Sequence, residues 1–200
     1  MKIVIVGIIF AIFLFPISLA DGFEWNSLLI WEELQYIPVA IISDFDIEDE
    51  KIQTIKGVIE SKKQYNQEFF GWNQALLLIS EKTRTNIPLL KVTENIEEAK
   101  IIIELSKSDG PKNIEGFTQY QIIDKKISQA TVIIYNFDKL KQESIEMLVR
   151  HELGHALGLG HTTNSLDLMF PVIDSEYSLI SIFDLKTLSE IYVKNPVPKL

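Results

Sequence analysis

His151, Glu152, His155 and His161 fall within one short segment, His151-Glu152-Leu153-Gly154-His155-Ala156-Leu157-Gly158-Leu159-Gly160-His161. The spacing is H-E-x-x-H-x-x-G-x-x-H. The chain has three histidines, and all of them stand at the imidazole positions of this pattern. A single histidine on an apolar helix face is more often a packed core residue than a ligand, and two four apart are ambiguous. Three with an intervening carboxylate point to metal chemistry. Three neutral imidazoles leave the fourth position of a tetrahedral zinc ion open, as in catalytic rather than structural sites. Zinc is inferred here from ligand type, since other divalent ions accept the same donors. Zinc lowers the pKa of a bound water to about 7, which supplies hydroxide near neutral pH. Glu152 is then placed to take a proton from that water as general base and to return it to a departing amine as general acid. The chemistry implied is hydrolysis of a peptide bond.

Such a constellation needs a helix that stops on time. Residues four apart lie one turn above each other on a helix, so His151 and His155 share a face. Glu152 projects beside that line and reaches the water rather than the ion. A helix from about Lys141 to Leu157 is expected to carry them. Gly158, three residues after His155, can take the left-handed conformation that ends a helix without a Cβ penalty. The turn delivers His161.

Downstream, Ser165-Leu166-Asp167-Leu168-Met169-Phe170-Pro171 places Met169 eight residues after His161. With this second element the sequence resembles the metzincin zinc endopeptidases, and Met-x-Pro resembles their matrixin branch. The resemblance implies an α+β fold, a metzincin-like catalytic domain in which a twisted mixed β-sheet packs with long helices. An active-site helix, a Met-turn and a C-terminal helix complete it. It further implies that His151, His155 and His161 hold one catalytic Zn2+ and that Glu152 is catalytic. Gly158, Met169, Pro171 and Asp184 would support the site, with Met169 as an apolar floor beneath the ion. Asp184 stands eight residues before Tyr192, as the aspartate does that holds the Met-turn backbone in the family. A first-turn carboxylate favoured by the helix dipole is an equally good and compatible role. Trp31, Leu34, Tyr36 and Ile37 resemble the family's entry into its first strand, and residues 99–103 its third.

The departures are specific. The chain has no cysteine, which excludes a cysteine switch. Phe183 stands where some matrixins have an aspartate that pairs with the mature N-terminus. Ile173 replaces the tyrosine of a Pro-x-Tyr segment lining the primary specificity pocket, so substrate preference does not carry over. The histidines of a structural zinc site are missing, and no residue pattern supports a structural Ca2+.

Hydrophobic residues make up 46% of 200 residues, enough for a signal segment and one domain with a sizeable core. Lys2 is followed by the uncharged run Ile3 to Phe15, then Pro16 and the small residues Ser18-Leu19-Ala20. This reads as a signal peptide over 1–20, with an uncleaved membrane anchor as the alternative. Residues 21–35 form a short N-terminal segment, too short for a folded pro-domain, and 36–200 the catalytic domain. A secreted or cell-surface protein follows, with membrane contact only if the first segment is retained. The formal net charge of −9 becomes −10 without residues 1–20, because Lys2 is their one charge. That balance argues against nucleic acid and anionic lipid, which want basic patches. The expected partner is a protein or peptide substrate; oligomeric state is open.

Val39 to Ile42 reads as a buried strand. The acidic cluster Asp44, Asp46, Glu48, Asp49 and Glu50 reads as a helix start with Asp46 as N-cap, in preference to a cation site. Ile52, Ile55, Ile59, Tyr65, Phe69, Trp72, Leu76 and Ile79 recur at helical spacing, which predicts one long helix or two in tandem bent at Gly71. Further strands are expected at Leu89–Val92, Ile101–Leu105, Gly116–Ile123 and Thr131–Phe137, and a closing helix at Ile182–Lys194. The resemblance places Gly116–Ile123 at the sheet edge above the cleft, where an edge strand can pair with an extended peptide. Two rival functions stand beside the enzyme. One is a catalytically silent binding protein of metzincin type, which usually lacks the glutamate. The other is a tethered protein with a merely structural metal.

Overall fold

The computed structural model describes residues 30–31, 34–111, 114–124, 126–172 and 179–194. The signal-like segment 1–20 and Ile173 lie outside the described residues. The chain runs β1 (Ile30–Trp31), β2 (Tyr36–Ser43), α1 (Asp49–Glu60), β3 (Gln64–Tyr65), β4 (Glu68–Phe69), α2 (Trp72–Thr83) and β5 (Leu89–Val92). It continues through β6 (Ile101–Leu105), β7 (Gly116–Ile123), β8 (Lys126–Ile134), α3 (Gln142–Ala156) and α4 (Ile182–Lys194).

The main sheet has the order β1-β8-β6-β2-β5, all parallel, with β7 antiparallel on the other edge of β8. Alternation shows which face is covered. In β6, Ile101, Ile103 and Leu105 are buried while Glu104 between them is exposed, the period-two pattern of a strand with one face on a core. Helices α1, α2 and α3 pack on one another and on this sheet, and one continuous apolar cluster joins them. The fold is therefore α+β with a mixed, mainly parallel sheet, in agreement with the sequence. Among the described residues no helix is long and apolar enough to cross a membrane.

Four local expectations need correction. The aromatic stripe forms two helices in succession, as one of its two readings had it, but they are not contiguous: α1 and α2 are separated by the hairpin β3–β4, which turns through Asn66 and Gln67 at φ 46° and 69°. Tyr65 is exposed on this hairpin, whereas Phe69 is buried. Phe69 exchanges two backbone hydrogen bonds with Ile180, at 2.9 and 3.0 Å. Gly71 does not bend a helix but precedes α2. A Cβ there would run into the Ser61 backbone, so only glycine lets the chain return this closely. Second, Asp46 is not the N-cap. The helix begins at Asp49 after Glu48, without a side-chain cap, and Asp49 and Glu50 supply the first-turn carboxylates. Third, the last strand spans Lys126–Ile134, and Phe137 is buried in a short 3-10 turn instead. Fourth, an unexpected strand, β1, precedes the first expected one; Ile30 and Trp31 are buried in the core.

Candidate metal centre and active site

Helix α3 carries the site and is held along its C-terminal half from outside. Trp72 Nε1 donates to Arg150 O (3.0 Å), Tyr120 Oη to His155 O (2.7 Å) and Trp31 Nε1 to Ala156 O (2.9 Å). The helix then stops by a glycine cap. Gly158 N–H donates to His155 O (2.7 Å) and Leu159 N–H to Gly154 O (3.0 Å), with Gly158 at φ 110°. These are the two bonds of a Schellman turn, and they satisfy carbonyls that a helix end otherwise leaves orphaned. The expected role of Gly158 is the one it takes.

The turn brings His161 back over the helix. Ligand-capable nitrogens of His151, His155 and His161 lie within 4.8 Å of one another, with His155 Nε2 and His161 Nε2 3.1 Å apart. His151 Nδ1 lies 2.7 Å from Leu168 O and His155 Nδ1 2.8 Å from Leu159 O. A carbonyl only accepts, so both Nδ1 atoms carry the proton and both Nε2 atoms present lone pairs inward. Carbonyl partners of this kind fix tautomer and ring orientation in metal sites. Burial lowers His151 to about 4 and His155 to about 3, and lowers His161 as well. All three are neutral at physiological pH, as metal ligation demands. The donor set fits zinc.

Glu152 is buried beside this triad. Burial pushes its carboxyl up to about 7, against an opposing pull from the Thr118 hydroxyl. Thr118 Oγ1 lies 2.5 Å from Glu152 Oε2 and 3.1 Å from the Glu152 carbonyl oxygen. Across the strand, a Cβ on Gly116 would stand 2.6 Å from Glu152 Oε1. Gly116, Thr118 and Tyr120 alternate along β7 and so share the face turned to α3. None of the three was singled out from sequence. Their alternation is visible there, but the helix they face is not.

Beneath the helix, Met169 is buried with its sulfur against Gly154. Its carbonyl accepts from Thr162 N–H (3.0 Å), tying this turn to the residue after His161. Met169 N–H in turn donates to Asp167 Oδ1 (2.9 Å). Asp184 Oδ2 accepts from Ser181 N–H (2.8 Å) and Ser181 Oγ (2.9 Å), while Asp184 N–H donates to Ser181 Oγ (3.1 Å). That is a reciprocal capping arrangement at the start of α4. The Asp184 carboxyl also bonds the Asp167 carboxylate. Asp184 thus reaches the Met169 turn through Asp167, and it serves the helix start as well. Burial, then the bond to Asp167 and its charge, push Asp184 above the carboxylate range. Pro171 is exposed at the end of the turn, and Phe183 is exposed on α4.

Edge strand β7 pairs with β8 along its full length, and its outer edge has no partner strand among the described residues. The expected position at the sheet edge is where it lies, and it packs on α3.

No curated protein shows significant similarity to the chain. The family model described as Matrixin matches residues 124–193, under half of the chain but all of β8, α3, the Met169 turn and nearly all of α4. Over the stretch that gathers His151, His155 and His161, the chain is similar to the matrixins and has the triad of a metalloprotease domain.

Proposed function

We propose that the protein is an exported zinc-dependent endopeptidase whose catalytic domain takes in β1 (Ile30–Trp31) as well as the expected 36–200. The observation that carries this reading is the pairing of two features. Three neutral imidazoles converge on one point, and a buried carboxylate stands next to the first of them. His151, His155 and His161 would hold the ion, which when bound supplies a Lewis acid for the scissile carbonyl and acidifies water. Glu152 removes a proton from the attacking water and returns it to the leaving amine. Its raised pKa favours both halves of that exchange, since an acid and base in turn works best near the operating pH. The outer edge of β7, which has no partner strand among the described residues, offers backbone groups to an extended peptide. Met169 underlies the helix as a floor, with Asp184 acting through Asp167 to hold that floor. Export rests on the N-terminal charge and hydropathy pattern of residues 1–20.

The test is digestion of a peptide library by zinc-loaded protein, read by mass spectrometry, beside Glu152→Gln with matched metal content. Cleavage by the parent, lost in the variant and on chelation, supports the enzyme. A parent that binds one zinc and cleaves nothing leaves the silent binding protein. N-terminal mass analysis of the exported material decides whether residues 1–20 are removed.

A further inference from the structure

We propose that Thr118, with Gly116 leaving room beside it, is a positioning residue that fixes the Glu152 carboxylate for catalysis. This deepens the endopeptidase reading and rests on it. A glutamate on a helix has three side-chain torsions, and burial alone does not choose among its rotamers. Thr118 chooses. Its hydroxyl lies within hydrogen-bond reach of both Oε2 and the main-chain oxygen of the same glutamate, at 2.5 and 3.1 Å. One hydroxyl thus ties the far end of the side chain to its own backbone.

The hydroxyl is itself rigidly placed. Threonine is stiff at χ1, and Thr118 stands opposite Val132 in a strand paired along its whole length. The other carboxylate oxygen abuts Gly116, where a Cβ would stand 2.6 Å from Oε1. The carboxylate is bracketed by two positions on one face of β7. Catalytic groups held by a second set of residues on regular elements keep the precision that chemistry needs, and a displacement of about 1 Å costs on the order of 100-fold in rate.

A purely structural role would be a staple between β7 and α3 through the Glu152 carbonyl. The two roles separate experimentally in the zinc-loaded full chain. Thr118→Val and Thr118→Ala remove the hydroxyl, and Thr118→Ser keeps it. Of the first two, whichever holds the parent's circular dichroism and metal content carries the comparison. Cleavage of a fluorogenic peptide drawn from the parent's own products gives kcat and KM. Loss of the hydroxyl is expected to lower kcat by roughly 10- to 100-fold, the range of a hydrogen bond to a charged group, with KM within about twofold. Thr118→Ser recovers most of the rate. Gly116→Ala, which crowds Oε1 without touching the hydroxyl, is expected to lower kcat with metal retained.

Infrared spectroscopy reads the same contact without activity. The Glu152 carboxyl band, taken as the difference between parent and Glu152→Gln, should shift on loss of the hydroxyl and return with serine. An unmoved band, or serine as slow as valine, overturns the proposal. A parent that cleaves no peptide defeats the endopeptidase reading, and the infrared comparison then still decides whether Thr118 holds Glu152.

Discussion

The sulfur of Met169 lies 2.5 Å from where a Cβ on Gly154 would stand, with the Trp72 ring 3.3 Å away on the same side. The active-site helix therefore needs a missing side chain at this point to settle onto its floor. Gly154→Ala is expected to destabilise the protein by about 1–3 kcal/mol through overpacking. Gly57, in the interior of α1, has nothing within 4 Å of its would-be Cβ. There Gly57→Ala should stabilise by about 0.5–1 kcal/mol, because alanine loses less conformational freedom in a helix. Urea unfolding of both variants checks the opposite signs.

Glu152→Gln should lower peptide cleavage by at least about 100-fold while leaving zinc content unchanged, as loss of a general base does. It also has a stability signature in chelated protein. The carboxyl of the folded state is raised from 4.5 to about 7, so its contribution is fully present below the unfolded value and is lost as pH rises through about 7. At pH 8 the glutamine variant should melt higher than the parent, and at pH 4 the difference should vanish. Calorimetry at the two pH values measures it.

Acid should undo the metal centre from the opposite direction. The folded-state values of His151 and His155, about 4 and about 3, lie below the ordinary 6.5. Stability from keeping these rings neutral is present above 6.5 and is lost as pH falls toward 4. Chelated protein should accordingly lose melting temperature between pH 6.5 and 4. Zinc should protect at pH 7 and be released in the same acid limb, since protons and metal compete for the imidazoles. Zinc retention on a desalting column at stepped pH follows the release.

Asp184 offers a cleaner variant than an alanine scan. Because its carboxyl is raised, its contribution is present below about 4 and declines as pH rises toward the folded value. Asp184→Asn keeps an acceptor for Ser181 and a donor for Asp167 without the ionisation. It should flatten the pH dependence and match or exceed the parent at pH 8. Asp184→Ala strips both contacts and should cost about 1–3 kcal/mol. Unfolding curves at pH 5 and 8 distinguish the two variants.

Legibility follows local pattern, not closeness to the chemistry: β8, packed on the site helix, departs from its expected bounds while β5 at the far sheet edge does not. Strands 89–92, 101–105 and 116–123 and helix 182–194 match their expected bounds: the first two are short, mainly apolar stretches, the third opens at a glycine and closes before a turn, and the helix repeats apolar residues at three- and four-residue spacing. The active-site helix lies within one residue of expectation at each end, since Gly158 announces its stop. The hairpin at 64–69 was hidden. Phe69 is buried as the helix stripe demanded, so periodicity carried straight across the break. Its turn residues, Asn66 and Gln67, lack the glycine that marks most two-residue turns. Thr118 was invisible for another reason: its partner is 34 residues away, and no local pattern reports a contact between a strand and a helix that far apart.

Trp31 is hydrogen-bonded to the carbonyl of Ala156, and Ile30 and Trp31 form the strand beside Lys126 and Ile127. This joins the first described strand to the last turn before Gly158. It sets a limit on maturation. Exopeptidases that stop short of Ile30 leave the pin in place, but two further residues removed would uncap the helix and open the β8 edge at Ile127. The first described strand is thereby part of what holds the end of α3 in place, and a heterogeneous start site would appear as a heterogeneous fraction of intact helix ends.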